Sequence, residues 1–368
     1  MTMRLLFLVL AGAIEIAANA AEPSSGSFAA PDPPMPTDFT VDFAKANDPW
    51  SLDSAGYAER AAALFRIGDL TGALSASASA TALAPRNIDM YLLRANILRR
   101  LKRDEDALKE AAAAQAAAPD LAYAQLAAAA IYSKLDRIAD AVKAYDRAIA
   151  IRPDASAYLN RALKRPKADV AGRTADIDAV LKLDPSSING LEAKALLQTE
   201  RNDHAGAVAT WSVVMERMPG YLVPIVRRGI SRMRAGDSAG GRRDFAQARA
   251  LATSAPALNE LCWMLAVVGV GLETALAACD AAVRLAPDQA SYIDSRAFVL
   301  LRLGRLDDAI SAYDTALAMT PTKPSSLYGR SVAWARKGDG VRADIVLAAA
   351  LKADPDVRDR FEGYGIAR

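Results

Sequence analysis

The stretch that decides the fold is Ala290–Pro321, ASYIDSRAFVLLRLGRLDDAISAYDTALAMTP. Apolar residues recur at helical spacing on both sides of Gly304, which predicts two amphipathic helices, Tyr292–Leu303 and Leu306–Met319. Gly304 breaks the pattern and Pro321 closes it, since neither residue continues a helix cheaply. Ala297, Ala309 and Ala316 stand where two antiparallel helices would touch, and Tyr313 supplies a bulky wedge.

Working outward, the same pattern recurs along most of the chain. Closing prolines stand at Pro85, Pro119, Pro153, Pro185, Pro219, Pro287, Pro321 and Pro355, at intervals of 34, 34, 32, 34, 68, 34 and 34 residues. The double interval hides one more unit, Leu222–Thr253, closed by Thr253 instead of proline. Second-helix contact residues keep the period as Ala73, Ala107, Ala141, Ala207, Ala275, Ala309 and Ala343, with Gly241 in the sixth unit. First-helix small residues run Ala61, Ala95, Ala129, Ala162, Ala195, Gly229, Ala297 and Ser331. Two ladders in one register place nine repeats at 54–355.

Each unit resembles the tetratricopeptide repeat, a helix–turn–helix of 34 residues. The resemblance implies an all-α solenoid, a right-handed superhelix whose first helices line the concave side, where a protein or peptide segment would bind. Residues 356–368 are too short for another unit and are expected to cap the last helix, with Phe361, Tyr364 and Ile366 folded over it. Two units depart from the pattern. The fourth carries Pro166 at the expected end of its first helix and Arg173 in the alanine slot. The seventh puts Trp263 in the small-residue slot, from which it would push its two helices apart.

The N-terminus reads differently. Arg4, the apolar run Leu5–Ile14 and Ala18-Asn19-Ala20 match a secretory signal over 1–20, cut near Ala20. Ten apolar residues stopped by Glu15 are too few to span a bilayer, which takes about 20. The first cysteine is Cys262, so no lipid-anchor cysteine follows the cut. Residues 21–53, with Pro31, Pro33, Pro34 and Pro36, read as a flexible leader. The expectation is a periplasmic or secreted protein, and the Ala- and Arg-rich composition points to a bacterial source.

Composition argues against several functions. Lys+Arg 45 against Asp+Glu 43 leaves a net charge of +2, not the basic excess of a nucleic-acid binder. One histidine, His204, and two cysteines leave little for metal chemistry, and no catalytic or phosphate-binding motif is present. No enzyme, cofactor or metal is expected. Cys262 and Cys279 lie eight residues before and nine after Val270, the centre of the seventh turn. An antiparallel hairpin sets them level, and an oxidising compartment would favour a disulfide over two buried thiols.

Basic residues precede the small position in seven units: Arg60, Arg94, Arg161, Lys194, Arg228, Arg296 and Arg330. Asp146, Asp178, Asp280 and Asp314 recur in second helices, so Arg–Asp pairing between stacked helices is expected. Just past the small position run two apolar columns, Ile230, Met264, Phe298, Val332 and Met233, Val267, Leu301, Ala335. In the N-terminal half these columns hold Ala62, Asn96, Ala130 and Phe65, Arg99, Ser133. A basic column of Arg66, Arg100, Lys134, Arg234, Arg302 and Arg336 follows. The C-terminal columns, with Tyr328, are expected to form the partner-binding groove of a scaffold or adaptor. Alternatives are a structural spacer, or an assembly factor for envelope polysaccharide or peptidoglycan machinery, where Tyr328, Asp294 and Glu260 would meet sugar.

Overall fold

The computed structural model describes residues 53–367. The expected signal sequence at 1–20 and nearly all of the expected leader lie outside the described residues. Nineteen helices and no strand occur among those described. They fall into two compact units, divided after Ala193.

In the first unit stand α1 (Ser54–Arg66), α2 (Leu70–Leu83), α3 (Ile88–Arg100), α4 (Asp104–Ala117), α5 (Ala122–Lys134), α6 (Ile138–Ile151), α7 (Ala155–Lys164) and α8 (Val170–Leu183). α9 (Ile188–Glu200) contains the division. The second unit continues with α10 (His204–Arg217), α11 (Leu222–Arg234), α12 (Ser238–Leu251), α13 (Ala255–Val268), α14 (Leu272–Leu285), α15 (Ala290–Arg302), α16 (Leu306–Met319), α17 (Pro324–Arg336), α18 (Gly340–Ala353) and the short α19 (Val357–Gly363).

Helix starts follow from a local signature. Asp69, Asp169, Asp203 and Asp237 each accept a hydrogen bond from the backbone N–H three residues on, at Gly72, Gly172, Gly206 and Gly240. Such caps satisfy a donor that the helix itself leaves unpaired. At these four starts a Cβ would crowd the capping carboxylate and make it turn aside, whereas the cap of Asp339 on Arg342 accommodates a side chain. Seven of the hairpin turns carry one left-handed residue, at Gly68, Lys102, Asp136, Asn202, Gly236, Gly304 and Gly338, and the turn between α13 and α14 carries two, Gly269 and Gly271.

Packing then follows the small residues. Ala73, Ala107, Ala141, Ala207, Ala275, Ala309 and Ala343 are wholly buried, and so are Ala61, Ala129, Ala195, Ala297 and Ser331 on the facing helices. α1 packs on α2, α3 on α4, α5 on α6, α7 on α8, and in the second unit α11 on α12 through α17 on α18. First helices also adjoin one another, α1 to α3 to α5 and α11 to α13 to α15 to α17. Each hairpin therefore covers the apolar stripe that its neighbour exposes. In the sixth hairpin a Cβ at Gly229 would meet the ring of Phe245, and one at Gly241 would lie 2.6 Å from Met233 Cγ. Only glycine lets these two helices approach so closely.

The shortened fourth interval is absorbed in α7, which has 10 residues where α5 has 13. Arg165, the residue before Pro166, is extended at ψ 144°, as the proline ring requires of its predecessor. The seventh hairpin departs from the sequence expectation. Trp263 does not wedge α13 from α14. The face of α13 turned to α14 is that of Cys262, which is bridged to Cys279 with the Cα atoms 5.4 Å apart. Both cysteines are fully buried. One residue is about 100° of helix rotation, so Trp263 faces elsewhere, onto the first-helix face described next.

Candidate protein-binding face

Two sets of charged residues sit between helices, and they differ in burial. Arg161 on α7 donates to Asp146 on α6 at 2.7 Å and to Asp176 on α8, while Arg165 reaches the same Asp176 at 2.8 Å. Arg228 and Arg232, one turn apart on α11, both donate to Asp244 on α12, at 2.7 and 2.8 Å. Asp176 and Asp244 are nearly sealed from solvent, each with 3% of its side chain exposed. Arg296 pairs with Asp280 and Arg330 with Asp314 at more open positions. The arginines thus pair between helices as their spacing predicts. The enclosed carboxylate of the fourth repeat is Asp176, however, whereas the sequence singles out Asp178, which is exposed. Two residues on a helix are 200° apart, and only packing tells which one faces inward. The enclosed pairs at Asp176 and Asp244 are structural.

The C-terminal columns come together on one face of α13, α15 and α17, and that face is occupied. α19 and the residues after it lie across it. Phe361 meets Tyr328 at 4.7 Å and Phe298 at 5.5 Å between ring centroids. Tyr364 stands edge-on to Trp263 at 5.7 Å and to Phe298 at 5.8 Å. Trp263 and Phe298 are themselves 5.3 Å apart. Gly365, in the left-handed region at φ 73°, ends α19 and lets Ile366 fold back against Phe361. The N–H of Ile366 bonds to the Phe361 carbonyl and that of Gly365 to Glu362, a helix stop that also brings the two apolar side chains together.

Arginines hold the backbone of this segment. Arg302 Nη2 donates to the carbonyls of Tyr364 and of Val267, the latter at 2.9 Å. Arg336 Nη2 donates to the Ala367 carbonyl at 3.2 Å. Burial, and then the neighbouring Arg336, hold the Arg302 guanidinium below its usual range. Its Nε is buried without a hydrogen-bond partner.

Against this arrangement the sequence expectation of an open groove needs correction. Phe298, Leu301, Tyr328, Val332 and Ile230 are buried in the core of the second unit. Met233 and Met264 pack against that core half-buried, and Val267 is half-buried. Arg234 and Arg336 are exposed. Tyr328 lies beneath Phe361, and Asp294 is buried with hydrogen bonds from Ser325 and Ser326, so neither is offered to a sugar. Trp263 is the residue of this face that the columns left out. Its size in a small-residue slot was the available signal.

In the first unit the matching positions mix polar residues, Asn96, Arg99 and Ser133, with Ala62, Ala130 and Phe65. Arg100 lies 4.4 Å over the Phe65 ring, and Arg99 donates to Asn96 at 3.3 Å. A shallow recess of about 580 Å³ between α4, α5 and α6 is lined by three alanines, Pro119 and Ile151 with Gln115, Gln125 and Arg147. No group of metal-ligating side chains and no helix long and apolar enough to cross a membrane occurs among the described residues.

The last two hairpins also carry a family signature: the tetratricopeptide repeat model matches residues 296–357. Those two hairpins match the tetratricopeptide repeat, and the other described hairpins repeat their helix–turn–helix pattern. The fold of the chain is the all-α solenoid of that repeat. No curated protein matches the sequence. Among solved structures, similar ones include a tetratricopeptide repeat protein from Parabacteroides merdae, at 16% identity and a TM-score of 0.48, covering 67% of this chain and 98% of that one. Yeast Tom70 follows at 14% identity and 0.47, covering 85% of this chain and 88% of its own. YrrB, described as a tetratricopeptide protein with an unusual peptide-binding site, shares 17% identity at 0.31, covering 52% and 98%. Likeness at these levels bears on neither partner nor site. What the tetratricopeptide fold supports is a role in protein interaction.

Proposed function

We propose that this protein is a non-enzymatic scaffold that holds a segment of another polypeptide on the first-helix face of α13, α15 and α17. One observation carries the reading. That face already holds a polypeptide segment, residues 357–367 of its own chain, through ring contacts and arginine-to-carbonyl hydrogen bonds. Apolar anchors in a desolvated centre with polar groups at the rim are the anatomy of a binding surface. Isothermal titration of the protein with synthetic peptides is the direct test. Saturable binding lost on Phe298→Ala, in a variant that keeps its helical signal, is the expected result. Undiminished binding by that variant would move the site elsewhere.

The scaffold is proposed to act outside the cytoplasm, in the periplasm of a bacterium or secreted from it. Support comes from the charged, apolar and small-residue order of 1–20, and from the buried Cys262–Cys279 bridge, a bond that persists in oxidising compartments. Mass spectrometry of the native protein should find an N-terminus near Ala21. An intact Met1 would overturn the assignment.

A further inference from the structure

The segment seated on the first-helix face also describes what could replace it. Its anchors are two aromatic side chains three residues apart, Phe361 and Tyr364, so one face of a single helical turn presents both. Ile366 follows after a left-handed turn at Gly365. The joint to the rest of the chain is short, only residues 354–356 between α18 and α19. Of the two aromatics, Phe361 is sealed while Tyr364 remains half-buried, and so does Trp263 beneath it. The seat is therefore not closed over at the α13 end.

Charge is the part of the fit that the resident segment leaves unfinished. Arg302 and Arg336 meet neutral carbonyls of residues 364 and 367, and neither forms an ion pair with a carboxylate of the described chain. Arg302 Nε has no acceptor at all, although it is buried. A half-buried guanidinium that donates to carbonyls and lies over the Phe298 ring, with a second guanidinium nearby and one N–H left without an acceptor, is a site that a carboxylate would complete.

Resting on the scaffold reading above, we propose that residues 357–367 are a resident competitor on this face. The external partner is a short amphipathic helix with two aromatic residues three apart, followed by a carboxylate that pairs with Arg302 and Arg336. The partner gains what residues 357–367 lack, an ion pair with these arginines in place of hydrogen bonds from them to neutral carbonyls. The resident segment in turn has the advantage of being tethered, at an effective concentration in the millimolar range for so short a joint. Apparent affinity for the partner is then reduced by the fraction of molecules whose face is vacant.

The experiment uses the full chain and a synthetic peptide of residues 354–367, blocked at both ends, followed by tryptophan fluorescence. Two hosts are compared, wild type and the Phe361→Ala/Tyr364→Ala variant, whose own segment holds the face weakly. The peptide should bind the variant about tenfold more tightly or better, as expected when a competitor is weakened. The same peptide with a free carboxylate at Ala367 should gain several-fold more. That gain should vanish in Arg336→Gln and shrink as salt is raised. Equal affinity for both hosts would overturn the competition and leave the scaffold reading standing. Binding by neither host, with the helical signal intact, would refute the scaffold site as well. No gain from the carboxylate would remove the acidic element of the partner. Concentration-dependent dimerisation of the wild type would assign the face to a second copy and overturn the proposal. If the double variant loses helical signal, Tyr364→Ala alone repeats the comparison, because that side chain is only half-buried.

Discussion

Replacing Asp244 by alanine tests the energetics of the helix pairs. Asp244 keeps 3% of its side chain exposed and accepts from Arg228 at 2.7 and 3.0 Å and from Arg232 at 2.8 Å. Alanine removes the main acceptor of both guanidiniums, leaving Arg228 only Ser212 Oγ at 3.2 Å and Arg232 only the Asp237 carboxylate at 3.8 Å. Removing one partner of a buried ion pair costs about 3–5 kcal/mol, because a desolvated charge stays behind. Here the arginine side chains are 15% and 23% exposed and can regain some water, which puts the expectation near the lower end, about 3 kcal/mol. Arg330→Ala is the control. Arg330 occupies the place in its repeat that Arg228 has in the sixth, but its partner Asp314 is 55% exposed, so the loss should be about 0–1 kcal/mol. Urea denaturation followed by circular dichroism, with hydrogen exchange read at α11 and α12, measures both. A change below about 1 kcal/mol for Asp244→Ala would refute the reasoning, since the carboxylate would then be no more than a surface partner.

Other outcomes follow from the turns, the bridge and the ladder. Lys102 holds a left-handed turn position at φ 59° that glycine fills elsewhere, so Lys102→Gly should raise stability by about 1 kcal/mol in a melt. Replacing Cys262 and Cys279 together by alanine should cost about 3 kcal/mol, the loop-closure value for a bridge spanning 17 residues, and unreduced wild type should show no reactive thiol when unfolded. Ala309→Leu should destabilise by about 1–3 kcal/mol or more, because that wholly buried contact has no room for three further carbons. Gly229→Ala should also destabilise the sixth hairpin, by forcing Phe245 away, whereas Gly338→Ala meets no neighbour and costs only its left-handed backbone.

By itself the sequence determined the repeat. Residues 34 apart share an environment because each hairpin packs only on its neighbours, so the alanine ladder and the closing prolines print the architecture directly into the spacing. The pairing of Arg296 with Asp280 and Arg330 with Asp314 was legible for the same reason: the partners keep a constant offset. Tertiary structure alone decided three things. Asp176 rather than Asp178 is enclosed, and Trp263 turns away from α14 onto the first-helix face, because helix rotation by one or two residues changes the partner and leaves no mark on the period. The third is the occupant of the first-helix face. Arg302 and Tyr364 are 62 residues apart and belong to no repeating offset. The sequence shows an apolar stripe and an aromatic terminal segment, but their meeting depends on how three hairpins align their first helices and on the turn at Gly365. Contacts that recur at one period are written many times in a sequence; a contact made once, between distant residues, is decided only when the chain has folded.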